Sequence, residues 1–181
     1  MNKYLKWILI SVLVLVLGLW LAFRWMSANT KKASPEKTTS YVADNYDLKV
    51  AYSGPSKKGR EIFGGLVPFG EIWRTGANEA TTFTTTTELT IGEKTLVAGT
   101  YTLWTKPDAD SWTIYFNSGE YPWGVSWGGK ASHDPAFDVL EVVVPVVALT
   151  EVEEVFTIQI YPNPLRMRLA WDLTAVDLSI Q

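Results

Sequence analysis

The chain has 181 residues, 47 % of them hydrophobic, with 16 Lys and Arg against 19 Asp and Glu and no cysteine. That length accommodates one globular domain with appendages and would crowd two. The missing cysteine excludes disulfides and thiolate chemistry. After residue 26 all 19 acidic residues meet only 13 basic ones, a balance that repels nucleic acid and sets that class of partner aside.

Trp7 to Phe23 reads WILISVLVLVLGLWLAF, which as a helix rises roughly 26 Å and spans a bilayer. Lys3 and Lys6 precede it as in a signal peptide. However, the apolar run exceeds the usual 7–15 residues or so of an h-region, and Met26 is too large for the −3 position of the best cleavage site before Asn29. Residues 1–26 are therefore expected to be an uncleaved, single-pass transmembrane signal anchor. Basic residues on both sides, with Arg24, Lys31, Lys32 and Lys37 after the span, leave its orientation unassigned by charge. Residues 27–40 (SANTKKASPEKTTS) are polar, contain Pro35 and lack periodicity, as a solvated linker would.

From Tyr41 onward alternation dominates. Tyr46, Leu48, Val50 and Tyr52 share one strand face. ATTFTTTTEL at 80–89 suits a pleated surface and makes poor helix. Residues 99–106 and 111–117 flank PDAD as a hairpin, with Trp112, Ile114 and Phe116 facing together. Leu140, Val142 and Val144 alternate before Pro145, and Phe156, Ile158 and Ile160 before the Pro162-Asn163-Pro164 turn. Leu165, Met167, Leu169 and Trp171 make another strand, and Val176, Leu178 and Ile180 the last. About eight or nine short strands without an amphipathic helix predict an all-β fold, an antiparallel β-sandwich over 41–181 preceded by one transmembrane helix. The pattern does not separate a jelly-roll-like from an immunoglobulin-like order, and it carries no oligomeric signal.

Between the first strand and the threonine strand lies a long segment, 54–78 (GPSKKGREIFGGLVPFGEIWRTGAN), whose apolar residues imply packing. Its Arg60, Trp73, Arg74, Asn78 and Glu79 are the candidate ligand-binding residues, since arginines beside an indole suit a small anionic ligand or a saccharide. The plainer reading has arginines pairing with Glu61 or Glu79, and Asn78 satisfying loop amides. The glycines do not form a phosphate loop, because neither G-x-G-x-x-G nor a following Lys-Ser/Thr is present. Trp123 and Trp127 in YPWGVSWGGK offer a possible stacking pair for a sugar, although aromatics alternating with Ile and Leu on strands are ordinary core. His133, beside Asp134 and Pro135, reads as a turn residue. A metal site would need Glu79, Asp134 or Asp138 to converge on it, and no spacing suggests this. No catalytic residue, metal ligand or cofactor is assigned, while a small hydrolase using paired carboxylates near the 54–79 loop stays the alternative to a binding or envelope-structural module.

PSKKGR (55–60), IFGGLVPFG (62–70), WRTGANEAT (73–81), GTYTLWT (99–105), WTIYFN (112–117), WG (123–124) and DVL (138–140) together resemble the bacterial domain-of-unknown-function family 2911, found mostly in Bacteroidetes, over nearly all of residues 41–181. The resemblance implies an exported or envelope protein, hence a periplasmic or other extracytoplasmic β-domain on its membrane anchor, and it transfers no activity. Relatives tend to carry arginine where this chain has Gly54.

Overall fold

The computed structural model describes residues 2–43 and 45–181, which fall into two compact units, Met1–Ala33 and Ser34–Gln181. The first is one helix, α1 (Lys3–Ala33), whose side chains are almost all exposed and which is long and apolar enough to cross a membrane. Over its 31 residues it rises about 46 Å.

The second unit is a mostly antiparallel, sandwich-like all-β domain. Its strands are β1 (Glu36–Ala43), β2 (Tyr46–Ser53), β3 (Thr81–Thr85), β4 (Leu89–Ile91), β5 (Lys94–Leu96), β6 (Gly99–Pro107), β7 (Ser111–Asn117), β8 (Asp138–Pro162) and β9 (Leu165–Ser179). The main sheet runs β1-β2-β3-β6-β7-β8-β9, a meander broken only by the separate β4-β5 hairpin. Neighbours in sequence are thus neighbours in space, unlike the crossed-over orders of immunoglobulin and jelly-roll sandwiches.

The segment expected as a linker at 27–40 is instead the end of α1 and most of β1. Nothing breaks the helix before Pro35, since Ala28, Lys31, Lys32 and Ala33 are good helix formers. β1 is a polar edge strand: Lys37, Thr39 and Tyr41 are half-buried while Glu36, Thr38 and Ser40 are exposed, and Glu36 pairs with Ser53 and Tyr41 with Leu48. Its threonines and charges hid it, yet they are what a sheet edge carries.

The strands expected at 140–144 and 156–160 are one strand, β8, which pairs with β7 as far as Pro145 and with β9 from Val146. Register shifts between Ala148 and Glu153, and between Glu153 and Thr157, mark where it bends. β9 bends with it at Asp172, which has φ +56° and receives the Lys57 ammonium at 2.5 Å. The bend brings the ends of β9 together: Ile180 N donates to Leu165 O at 3.0 Å, and Gln181 pairs with Thr90 of β4. One layer of the core comes from Leu48, Val50, Phe83, Leu103, Trp112 and Phe116, the facing layer from Phe156, Ile158, Met167, Leu169 and Trp171, all at most 1 % exposed. The 54–78 segment closes over this core, burying Ile62 and Val67 and packing Phe63 and Trp73 against it.

Gly54 directly follows β2. A Cβ there would stand 2.7 Å from Phe156 O and 3.3 Å from Lys37 Cε, so in this chain the lysine stem fills the space beside it.

Candidate functional site

The turn that carries the candidate residues is held by threonines. Trp73 exchanges backbone hydrogen bonds with Thr105 of β6, at 2.7 and 3.0 Å. Strand alternation then sends residue 73 one way and its neighbours the other. Thr75 Oγ1 bonds Thr105 Oγ1 at 3.2 Å, and Thr81 Oγ1 donates to Thr75 O at 2.7 Å. Thr75 and Asn78 sit at φ +56° and +59°, and Gly76 at φ +147° comes so near Ser53 O that a Cβ would lie 2.7 Å from it. A buried β-branched residue in the left-handed region stores strain of order 1–3 kcal/mol, which the surrounding bonds must hold.

The five candidate residues separate into three places. Trp73 turns into the core, stacking on Trp171 at 5.8 Å and meeting Phe156 and Trp112 edge-on. Arg60 is exposed on the 56–60 turn, where Nε donates to Lys57 O and Nη2 to Ser56 O at 2.9 and 2.6 Å. The Arg74 stem and the Asn78 carbonyl both lie beside Gly124, and half-buried Glu79 follows Asn78 in the chain.

There Gly124 is the junction. Its N–H donates to Asn78 O at 2.9 Å and its carbonyl accepts from Ser132 N at 3.1 Å. A Cβ on Gly124 would run into Arg74 Cδ and lie 2.9 Å from Arg74 Cβ and 3.0 Å from Asn78 O, so only glycine lets the arginine stem lie this close. Asn78 is buried and its Nδ2 donates to Ser34 O at 3.0 Å, a structural role. Arg74 is different: its Nε is enclosed without a hydrogen-bond partner among the described residues. Burial alone pulls the guanidinium below the usual arginine value, with no carboxylate acting to raise it.

Around Trp104 on this outer face lies a network that the sequence did not reveal. Trp104 is fully buried, packed with Ala80 and Tyr115 and capped by Ile72, Tyr121 and Ala131. His133 lies 5.6 Å from the Trp104 ring and 5.5 Å from Tyr115, its side chain 7 % exposed. Contrary to expectation, a carboxylate does converge on it: Asp138 Oδ1 is 2.8 Å from His133 Nε2. A bulge between Phe116 and Asn117 and a short 3₁₀ turn at Pro135–Phe137 place Asp138 opposite Asn117. Asn117, fully buried, donates through Nδ2 to Asp138 Oδ1 and Asp134 O, and accepts through Oδ1 from Gly119 N and the Tyr121 hydroxyl. Tyr121 in turn accepts from Asp134 N.

Residues 34–180 match the family described as protein of unknown function, DUF2911. The chain belongs to this family. No curated protein and no solved structure matched it. The DUF2911 match starts at Ser34, the first residue after α1, and so covers β1 as well as the strands from Tyr46 onward. Within this DUF2911 domain the run WRTGANEAT is the strained threonine-stitched turn, while WG at 123–124 supplies the glycine against Arg74. Trp123 is half-buried and Trp127 wholly exposed, and no ring contact joins them. Glu61 and Glu71 of the 54–78 segment are exposed, and among the described residues no three His, Asp or Glu side chains form a metal-binding group.

Proposed function

We propose that the chain is a single-pass, membrane-anchored binding module whose extracytoplasmic β-domain takes a small anionic ligand at Arg74. The length and apolarity of α1 support the anchor, and the export-type character implied by the likeness to DUF2911 proteins supports the outward placement. The observation that carries the ligand reading is Arg74, half-buried with its stem against Gly124 and its Nε enclosed without a partner among the described residues. Desolvating a cation without pairing it costs several kcal/mol, a cost that an arriving carboxylate or phosphate relieves through bidentate bonds.

The test is thermal unfolding of the full chain in detergent with acetate, phosphate and sulfate, repeated on Arg74→Met. Binding raises Tm by mass action. An anion-dependent rise in the native protein that is absent in the variant supports the reading; equal shifts in both overturn it. Cell fractionation tests the anchor, since a mature product beginning near Asn29 would show cleavage.

A further inference from the structure

The β-domain begins at Ser34, the residue after α1, and two hydrogen bonds lead from there to a hairpin at 124–132. Ser34 O accepts from Asn78 Nδ2 at 3.0 Å, and Asn78 O accepts from Gly124 N at 2.9 Å. Beyond Gly124 the hairpin is braced: Val125 bridges Ala131, Ser126 N donates to Lys130 O at 2.8 Å, and Gly129 N donates to Ser126 O at 3.0 Å. Gly128 and Gly129, at φ +101° and +82°, make so tight a tip accessible. What this tip carries is Trp127, 100 % exposed, with exposed Lys130 on the returning arm.

Register places more apolar surface at the same end of the domain. Glu36 lies opposite Ser53, Ala51 opposite Thr82 and Thr81 opposite Leu103, so the end of the sheet at which Ser34 enters is also the end at which β6 finishes, at Pro107. There Gly70 N donates to Pro107 O, and Leu66 and Phe69 of the same loop are 47 % and 44 % exposed. Apolar side chains are thus open to solvent at the end from which the chain continues into α1. The lengths bring that end within reach of a membrane. Helix from Met26, where the apolar run stops, to Ser34 covers at most about 12 Å, and a headgroup layer of about 5–8 Å takes up half of it. The arm from Gly124 to Trp127 extends about 10 Å, more than the remainder.

Resting on the membrane-anchor part of the proposed function and not on its ligand, we propose that this end of the β-domain seats on the lipid surface, with the Trp127 indole at headgroup level. Tryptophan suits that depth, because its rings enter the acyl boundary while its N–H stays among polar groups, and the Lys130 ammonium suits lipid phosphate. A single indole is a weak ligand for a bilayer. Tethered through α1, however, its contact becomes an intramolecular event at high effective concentration, so a weak seat suffices. Held at both Ser34 and Trp127, the domain presents one fixed side to the membrane.

The chain has no cysteine, so Trp127→Cys and Val42→Cys each accept one NBD fluorophore, which at 127 puts an aromatic ring where the indole was. Val42 is the control: it is 73 % exposed, yet lies about 20 Å along β1 from Glu36. Both side chains are exposed, so labelling removes no packing. The full chain is reconstituted into phosphatidylcholine–phosphatidylglycerol vesicles with and without lipid bearing a nitroxide near its headgroup, present in both leaflets so that the direction of insertion does not matter. The label at 127 is expected to lose several-fold more of its fluorescence to the nitroxide lipid than the label at 42. Equal quenching at the two positions, or none at 127 in a vesicle-bound chain, overturns the seating and leaves the anchor standing. A chain that does not float with the vesicles on a density gradient overturns the anchor and the seating together.

Discussion

The two faces of the strands β6 and β7 are closed by different physics. On one face Leu103, Trp112, Ile114 and Phe116 are fully buried against β8, β9 and the 54–78 segment, with little polar chemistry among them. On the other, Thr102, Trp104, Tyr115 and Asn117 are covered by the 118–137 segment, and what holds that cover is a chain of hydrogen bonds from Asn117 through Asp138 to His133. Dispersion and burial tolerate no unpaired charge, so the first face serves stability. The second encloses the Arg74 Nε, which has no hydrogen-bond partner among the described residues.

Breaking the first face should cost most. Phe156 meets Tyr52, Trp73 and Trp171 at ring separations of 5.8, 5.0 and 6.0 Å. Phe156→Ala empties the junction between the two core layers, and urea denaturation should show a loss of about 3–5 kcal/mol. Asn117→Ala attacks the second face. It strands the Gly119 amide, the Tyr121 hydroxyl and the Asp134 carbonyl, and should cost about 2 kcal/mol. Hydrogen exchange would accelerate over 118–137 while the β8–β9 amides stay protected; a uniform rise across both would mean the two faces unfold as one.

Arg74→Met sharpens the contrast because its sign is reversed. Replacing an uncompensated, partly desolvated cation by an apolar side chain of similar length should raise stability by about 1 kcal/mol. A loss of that size would instead mark Arg74 as structural and remove the reason for a ligand.

Which features could be seen beforehand follows the same division. The core face was legible because period-2 alternation in β2, β7 and β8 is a direct record of burial. β1 was not, since an edge strand of lysine, serine and threonine reads as linker until its partner is known. The joining of 138–162 into one bent strand depends on bulges that leave no residue signature, and Pro145 read as an end when it marks only the exchange of partner from β7 to β9. At the candidate site, Arg74 was singled out by its place beside Trp73 in a glycine-rich loop. The separation of Trp73 from Arg74 required knowing that residue 73 bridges Thr105, which fixes the alternation. His133 and Asp138, five residues apart, meet only because a bulge and a 3₁₀ turn intervene, and no spacing rule for strands would have paired them.

The smallest effect lies outside both faces, at the bend of β9. Arg168 forms a two-pronged bond to Asp177, with Nε to Oδ1 at 2.8 Å and Nη2 to Oδ2 at 2.6 Å, and Arg166 Nε lies 3.5 Å from Oδ1. These residues belong to the two arms of one strand folded back on itself, so the pair clamps the bend. The hydrogen bond from Arg168, with the charges of Arg168 and Arg166, holds the Asp177 carboxyl below the usual carboxylate range against the opposing effect of its burial. A carboxyl depressed by folding stabilises the native state above its unfolded pKa, about 3.9, and that contribution fades as pH falls from there through the lower folded value. Because both side chains are about a quarter exposed, water and salt screen the pair, and its worth at pH 7 should be about 0.5–1 kcal/mol. Asp177→Asn should therefore be destabilised by that amount in urea at pH 7 and at pH 5, with the gap to the native chain closing below pH ~4. Added salt should narrow the gap at pH 7 as well. A gap that persists undiminished in acid would show that the carboxylate acts on the bend through packing, and that charge has no part in holding the two arms of β9 together.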